Sequence, residues 1–122
     1  MSSAKHGKIC YIFMPSQDPQ RSAAFYETVF GWNVRTRDDG STAFDDSTGQ
    51  VSGTWTTDRP PARDGNLEVH IMVDDLHQAI TSIRDAGGTV DDTDVHATRE
   101  KWAVFSDPDG NRLGIYQHGS GT

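Results

Sequence analysis

Two stretches of this chain carry the same punctuation at a constant offset, and that repetition limits the folds open to it. Asp18 is a helix-capping residue followed by Pro19 at the first helical position, with Gly31 as the stop. Asp75 and Gly87 repeat the cap and the stop. The caps lie 57 residues apart and the stops 56. Between the first pair, Ala23, Tyr26 and Phe30 share one helical stripe, with Phe25 and Val29 beside it. Between the second pair, the stripe is Leu76, Ile80 and Ile83.

Strand-like segments surround each helix in the same order. Residues 9–14 (ICYIFM) precede the first helix, and 32–36, 42–44 and 50–56 follow it, separated by turns at 38–40 and 46–49. Residues 67–73 precede the second helix and alternate. Leu67, Val69, Ile71 and Val73 fall on one face, and Glu68, His70 and Met72 on the other. Residues 89–90, 102–105 and 113–117 complete the unit, and the polar stretch 91–101 reads as a loop. The expected fold is α+β, two tandem βαβββ modules at 8–57 and 66–118 forming a single domain over 1–122. The Pro-rich, charged segment 58–65 (DRPPARDG) is the linker. One helix cannot cover both faces of a four-stranded sheet, so the second face is expected to pack on the other module.

Composition excludes several classes of function. The net charge of −7 and the lack of a basic stripe argue against nucleic acid. No apolar run reaches membrane-spanning length, and residues 1–8 are too polar for a signal peptide. A single cysteine, Cys10, allows no intrachain disulfide and fits a reducing cytoplasm. Cys10 alternates away from Tyr11, which predicts a buried position. Fifteen Asp stand against three Glu, and eight Arg against three Lys, a bias that fits a halophilic or GC-rich origin. A melting series in molar KCl tests the halophilic version.

Asp107-Pro108-Asp109-Gly110-Asn111 lies between the last two apolar runs, where Pro presets φ, Asp bonds its own backbone and Gly supplies a positive φ. With Asp18…Phe25-Tyr26…Phe30-Gly31-Trp32 and Val73-Asp74-Asp75-Leu76, it gives three marks in order. In these marks the chain resembles the vicinal oxygen chelate superfamily over residues 8–118. That group includes glyoxalase I, bleomycin-resistance proteins and extradiol dioxygenases. The resemblance implies curled sheets around a cavity, and a homodimer.

In metal-dependent members, four cavity-facing residues bind a divalent cation. Counting from the motifs, the matching positions here are Tyr11, Gly53, Glu68 and Gly114. Only Glu68 is a good ligand for a hard cation; glycine has no side chain, and a neutral phenol binds poorly. The expectation is therefore no resident cofactor and a metal site mostly lost, with a divalent metal at a rearranged site around Glu68 and His70 as the alternative.

Alternation places other residues on the ligand positions' face. Ile9 and Phe13 join Tyr11, Val51 and Trp55 join Gly53, His70 and Met72 join Glu68, and Tyr116 and His118 join Gly114; Trp102 joins if its strand keeps register. The expected lining is aromatic, with Glu68 and His70 as its polar points, and suits a small planar or amphipathic organic molecule. Glu68 and His70 read either as an acid–base or ligand pair, or as half-exposed strand residues with ordinary hydrogen bonds. His96, in the 91–101 stretch, reads as loop surface or as part of a lid. Three classes of function follow: a small-molecule binding protein, a metal-dependent lyase, isomerase or dioxygenase, and a structural or regulatory dimer module.

Overall fold

The computed structural model describes residues 6–64, 67–97 and 101–117, with the backbone alone for 92–97. The first module contains β1 (Tyr11–Pro15), α1 (Pro19–Phe30), β2 (Asn33–Thr36), β3 (Thr42–Asp45) and β4 (Ser52–Thr56). The second contains β5 (His70–Met72), α2 (Leu76–Asp85), β6 (Thr89–Ala97), β7 (Lys101–Ser106) and β8 (Arg112–Gln117). Both sheets have four strands and one topology, β1-β4-β3-β2 and β5-β8-β7-β6. In each, the first strand runs parallel to the last and the remaining pairs are antiparallel. This is the tandem βαβββ arrangement.

The helix ends follow the sequence punctuation. The Asp18 carboxylate accepts from the Arg21 N–H, Pro19 opens α1, and Gly31 closes it at φ 70°. The Asp75 carboxylate likewise accepts from the Gln78 N–H, while Ala86 is the C-cap and Gly87 follows at φ 100°. Residues 91–97, read as loop, instead extend β6, with the register shifting between Val90 and Val95. A polar strand at a sheet edge satisfies its backbone on one side only and needs no apolar pattern, which is why it was not legible. At the other extreme, β5 is only three residues long.

One core joins the two modules. Tyr26 stacks on Trp32 (4.7 Å between ring centres) and Trp32 on Phe44 (4.6 Å), and Trp55 contacts Phe44 and Tyr26. Phe25 and Phe30 of α1 reach Phe105 of β7 at 6.2 and 5.8 Å. Helix α1 packs on β2, β3 and β4, α2 on β6, β7 and β8, and the helices touch each other. The modules therefore meet through their helix-bearing sides. This corrects the expectation that each sheet's second face packs on the other module: Phe13 and Met72, on those second faces, are 56% and 64% exposed.

The Asp-Pro-Asp-Gly-Asn turn is the polar counterpart of this interface. Tyr26 Oη donates to Asp107 Oδ2 at 2.8 Å. Asp109 accepts from Ser22 Oγ, the Gln17 N–H and the Arg21 guanidinium. Asn111 Nδ2 donates to the Pro15 carbonyl, and its Oδ1 accepts from the Ala62 N–H. A turn in the second module thus holds the end of β1, the start of α1 and the linker. Burial raises the Asp107 carboxyl above the ordinary range against the hydrogen bonds from Asn111 and Tyr26. Burial pushes Asp109 the same way, but its bonds from Gln17, Ser22 and Arg21 prevail and lower it.

Candidate functional site

The outer strands β1 and β5 border a groove of about 690 Å³. Ile9, Phe13, Leu67, Val69 and Met72 are the exposed large apolar residues among the described residues, and all five line it. Its lining also reaches the buried Met14, Trp32 and Phe44, so the groove opens onto the aromatic core. His70 lies along the same groove, as does the linker from Pro61 to Asp64.

Strand register decides which side chains share each face. In the second module, His70 pairs with Gly114, Met72 with Tyr116, and Trp102 with Tyr116. His70, Met72, Trp102, Gly114 and Tyr116 therefore point to one side, as alternation predicts. The His70 ring occupies the space above Gly114, where a β-carbon would stand 2.5 Å from Cε1 and 2.6 Å from Nδ1. Trp102 meets the imidazole edge-on, 5.7 Å between centres, and Glu68 Oε1 lies 2.8 Å from Nε2.

In the first module, Tyr11 pairs with Ser52 and Phe13 with Thr54. Tyr11 Oη and Thr54 Oγ1 are 2.7 Å apart, the Arg37 guanidinium lies 5.5 Å over the Tyr11 ring, and that of Arg59 lies 5.3 Å over Phe13. Arg35 and Ser52 both bond Asp45 on this face, and those bonds hold its carboxyl down to about 2.

Several expected site residues lie elsewhere. Gly53 pairs with Ile12 and Phe44 and so belongs to the buried face, where a β-carbon would stand 2.2 Å from Phe44 Cζ. Trp55 shares that face and packs on Tyr26 and Phe44 in the core, its Nε1–H buried without a partner. The count to this strand was one residue out, which inverts the face; the open-face residue is Thr54. Cys10 is exposed rather than buried, because it precedes β1 and stands outside the sheet's alternation. Leu67 and Val69, placed on one face with Ile71 and away from His70, open onto the groove because β5 begins only at His70. Tyr11, Glu68, Trp102 and Tyr116 lie beside the groove rather than along it. His118 falls outside the described residues, as does the side chain of His96. Ile9, placed on the cavity side with Tyr11, lines the groove, whereas the linker residues gave no sequence signal for it, since only the tertiary approach of β1 and β5 creates it.

The donor set does not fit a divalent cation held at the four family positions. The Tyr11 phenol and the Thr54 hydroxyl are bonded to each other, Gly53 faces the core, Gly114 brings no ligand atom, and Glu68 and His70 are bonded to each other. No group of three or more His, Cys, Asp or Glu side chains gathers among the described residues.

A family model described as glyoxalase-like domain matches residues 11–116. The chain belongs to this glyoxalase-like family. The topology agrees with solved structures of the wider superfamily. A glyoxalase/bleomycin resistance protein/dioxygenase superfamily member from Sphaerobacter thermophilus superposes with a TM-score of 0.72 at 14% identity, covering 92% of this chain and 98% of that one. A glyoxalase/bleomycin resistance protein/dioxygenase family enzyme from Burkholderia phytofirmans gives 0.70 at 18%, covering 88% and 95%. TnmS3, described as an antibiotic binding protein from Streptomyces sp. CB03234, gives 0.69 at 21%, covering 97% and 99%. At these identities the likeness is one of fold. No curated protein matches the chain. Among the described residues of this glyoxalase-like chain, no helix is long and apolar enough to cross a membrane.

Proposed function

We propose that this glyoxalase-like protein binds a planar, apolar organic molecule in the groove between β1 and β5. The observation that carries the reading is the gathering of all five exposed large apolar residues on that one groove. Contiguous exposed apolar surface on a soluble domain marks a binding site, and about 690 Å³ is the size of a small-ligand pocket. Trp32 and Phe44 offer aromatic surface at its depth. That a protein of this fold is described as an antibiotic binding protein supports the reading as a use the fold has found.

Calorimetric titration with 2-methoxynaphthalene tests the reading. Saturable binding at one site per chain is expected, abolished by the paired change Val69→Asp, Met72→Asp at two exposed positions. No uptake, or uptake indifferent to that change, contradicts it. A homodimer belongs to the same proposal. Both β1 and β5 are outer strands of their sheets, and a second copy along them would cover Ile9 and Leu67 while the ligand takes the depth of the groove. Sedimentation of the protein tests it, and a monomer at high micromolar concentration rejects it.

The Glu68–His70 hydrogen bond beside the groove favours a second reading, a metal-dependent lyase, isomerase or dioxygenase with a rearranged site. Elemental analysis of protein purified without chelator separates the two. Stoichiometric divalent metal that His70→Ala removes would replace the binding reading with the enzymatic one.

A further inference from the structure

We propose that the groove selects ligands carrying a hydrogen-bond donor, a phenolic or enolic O–H on a planar apolar body, and presents that donor to Nδ1 of His70. This rests on the groove being a ligand site and adds the chemistry it recognises.

A methyl group at Gly114 would stand 2.5–2.7 Å from Cε1, Nδ1 and Nε2 of His70, inside van der Waals contact. The glycine that leaves the last family ligand position without a side chain is therefore the seat of the imidazole. The ring is held on its other sides as well: Trp102 meets it edge-on at 5.7 Å, and Glu68 Oε1 lies 2.8 Å from Nε2. A carboxylate only accepts, so Nε2 carries the hydrogen in the bond to Glu68. In the neutral ring the other nitrogen is then an acceptor. Nδ1 has no hydrogen-bond partner among the described residues, and His70 lines the groove. The apolar part of the groove includes Phe13, Ile71 and Met72, of which only the Met72 thioether can accept a hydrogen bond through its side chain, and weakly. At this partly exposed ring a ligand hydroxyl gains one directed acceptor, whereas an ether oxygen gains nothing from a nitrogen that only accepts. Glu68 is the positioning residue: it fixes the tautomer and never meets the ligand.

Two probes of one shape test this, 2-naphthol and 2-methoxynaphthalene, titrated at about pH 8, above the ordinary histidine range. The protein is expected to prefer 2-naphthol by up to about tenfold, the scale of one net hydrogen bond. His70→Leu removes the preference, read as the ratio of the two probes' affinities in the same variant whatever its absolute affinity for either. Glu68→Gln, whose amide can donate to Nε2, releases the tautomer and lowers the preference several-fold. A long-range proton–nitrogen spectrum of the free protein gives a ligand-independent check, with Nδ1 as the bare nitrogen. Equal affinity for the two probes, or a hydrogen on Nδ1 in the neutral ring, overturns the inference and leaves the groove reading standing. Failure of both probes to bind overturns both.

Discussion

Tyr26 of α1 donates its phenolic hydrogen to Asp107, 81 residues away in the turn between β7 and β8. Both groups are buried, and burial raises the Tyr26 hydroxyl well above its ordinary value, with the Asp107 charge adding to the effect. The phenol therefore stays a donor. Tyr26→Phe leaves a buried carboxylate oxygen with one partner fewer and is expected to cost about 1–3 kcal/mol. Asp109→Ala leaves the Gln17 N–H without its acceptor and Ser22 Oγ with Ser16 alone, and is expected to cost at least as much, about 2–4 kcal/mol. The Arg21 contact adds little to that figure, since its side chain is half exposed. Urea unfolding of the two variants checks both values, and a cost below about 0.5 kcal/mol for either would remove the turn as the clamp between modules.

Acid should weaken the fold through particular carboxylates. Asp45, held down to about 2, and Asp109, also lowered, bind protons less readily folded than unfolded. Their contribution is complete above the ordinary carboxylate value of about 4 and is lost as pH falls through the folded values. Asp107 is raised and works in the opposite sense, its contribution declining as pH rises through its folded value. Urea midpoints are therefore expected to fall between about pH 4 and pH 2, and Asp45→Asn to flatten that fall. An unchanged slope in the variant would rule out the Arg35–Asp45–Ser52 group as a contributor.

Gly53 and Gly114 should respond differently to a methyl group. At Gly53 it would stand 2.4 Å from the Ile12 carbonyl and 2.2 Å from the Phe44 ring, both fixed in the core. Gly53→Ala is expected to destabilise by about 1–3 kcal/mol. At Gly114 the obstacle is the imidazole of His70, a half-exposed side chain able to turn away. Gly114→Ala should leave stability within about 1 kcal/mol while displacing the ring. Thermal melts of the two variants test the contrast, and a reversed order would contradict the assigned faces.

How much of this was legible in the sequence depended on how local the signal was. The helices were readable because their caps are written in Asp18, Pro19, Gly31, Asp75 and Gly87, residues whose conformational preferences act within one turn. The second-module face was readable because His70, Trp102, Gly114 and Tyr116 alternate without interruption. Trp55 was misplaced because period-2 reasoning inverts on a one-residue error, and nothing within residues 50–56 pins the register. Leu67 and Val69 were assigned to the face away from Glu68 because an apolar residue carries no mark of whether a partner surface exists. The groove itself depends on how far apart two sheet edges come to rest, which is set by the Asp107–Asn111 turn and by aromatic packing elsewhere. The linker's share in it could not be read from its prolines and charges.

The most direct measurement is a methyl-resolved proton–carbon spectrum of the protein titrated with 2-methoxynaphthalene. If the groove is the ligand site, shifts concentrate on Ile9, Leu67, Val69, Ile71 and Met72, which line it. Ile80, Ile83 and Ile115, buried in the core and not among its lining, should stay in place. Shifts spread evenly over both sets, or none at saturating probe, would contradict the account.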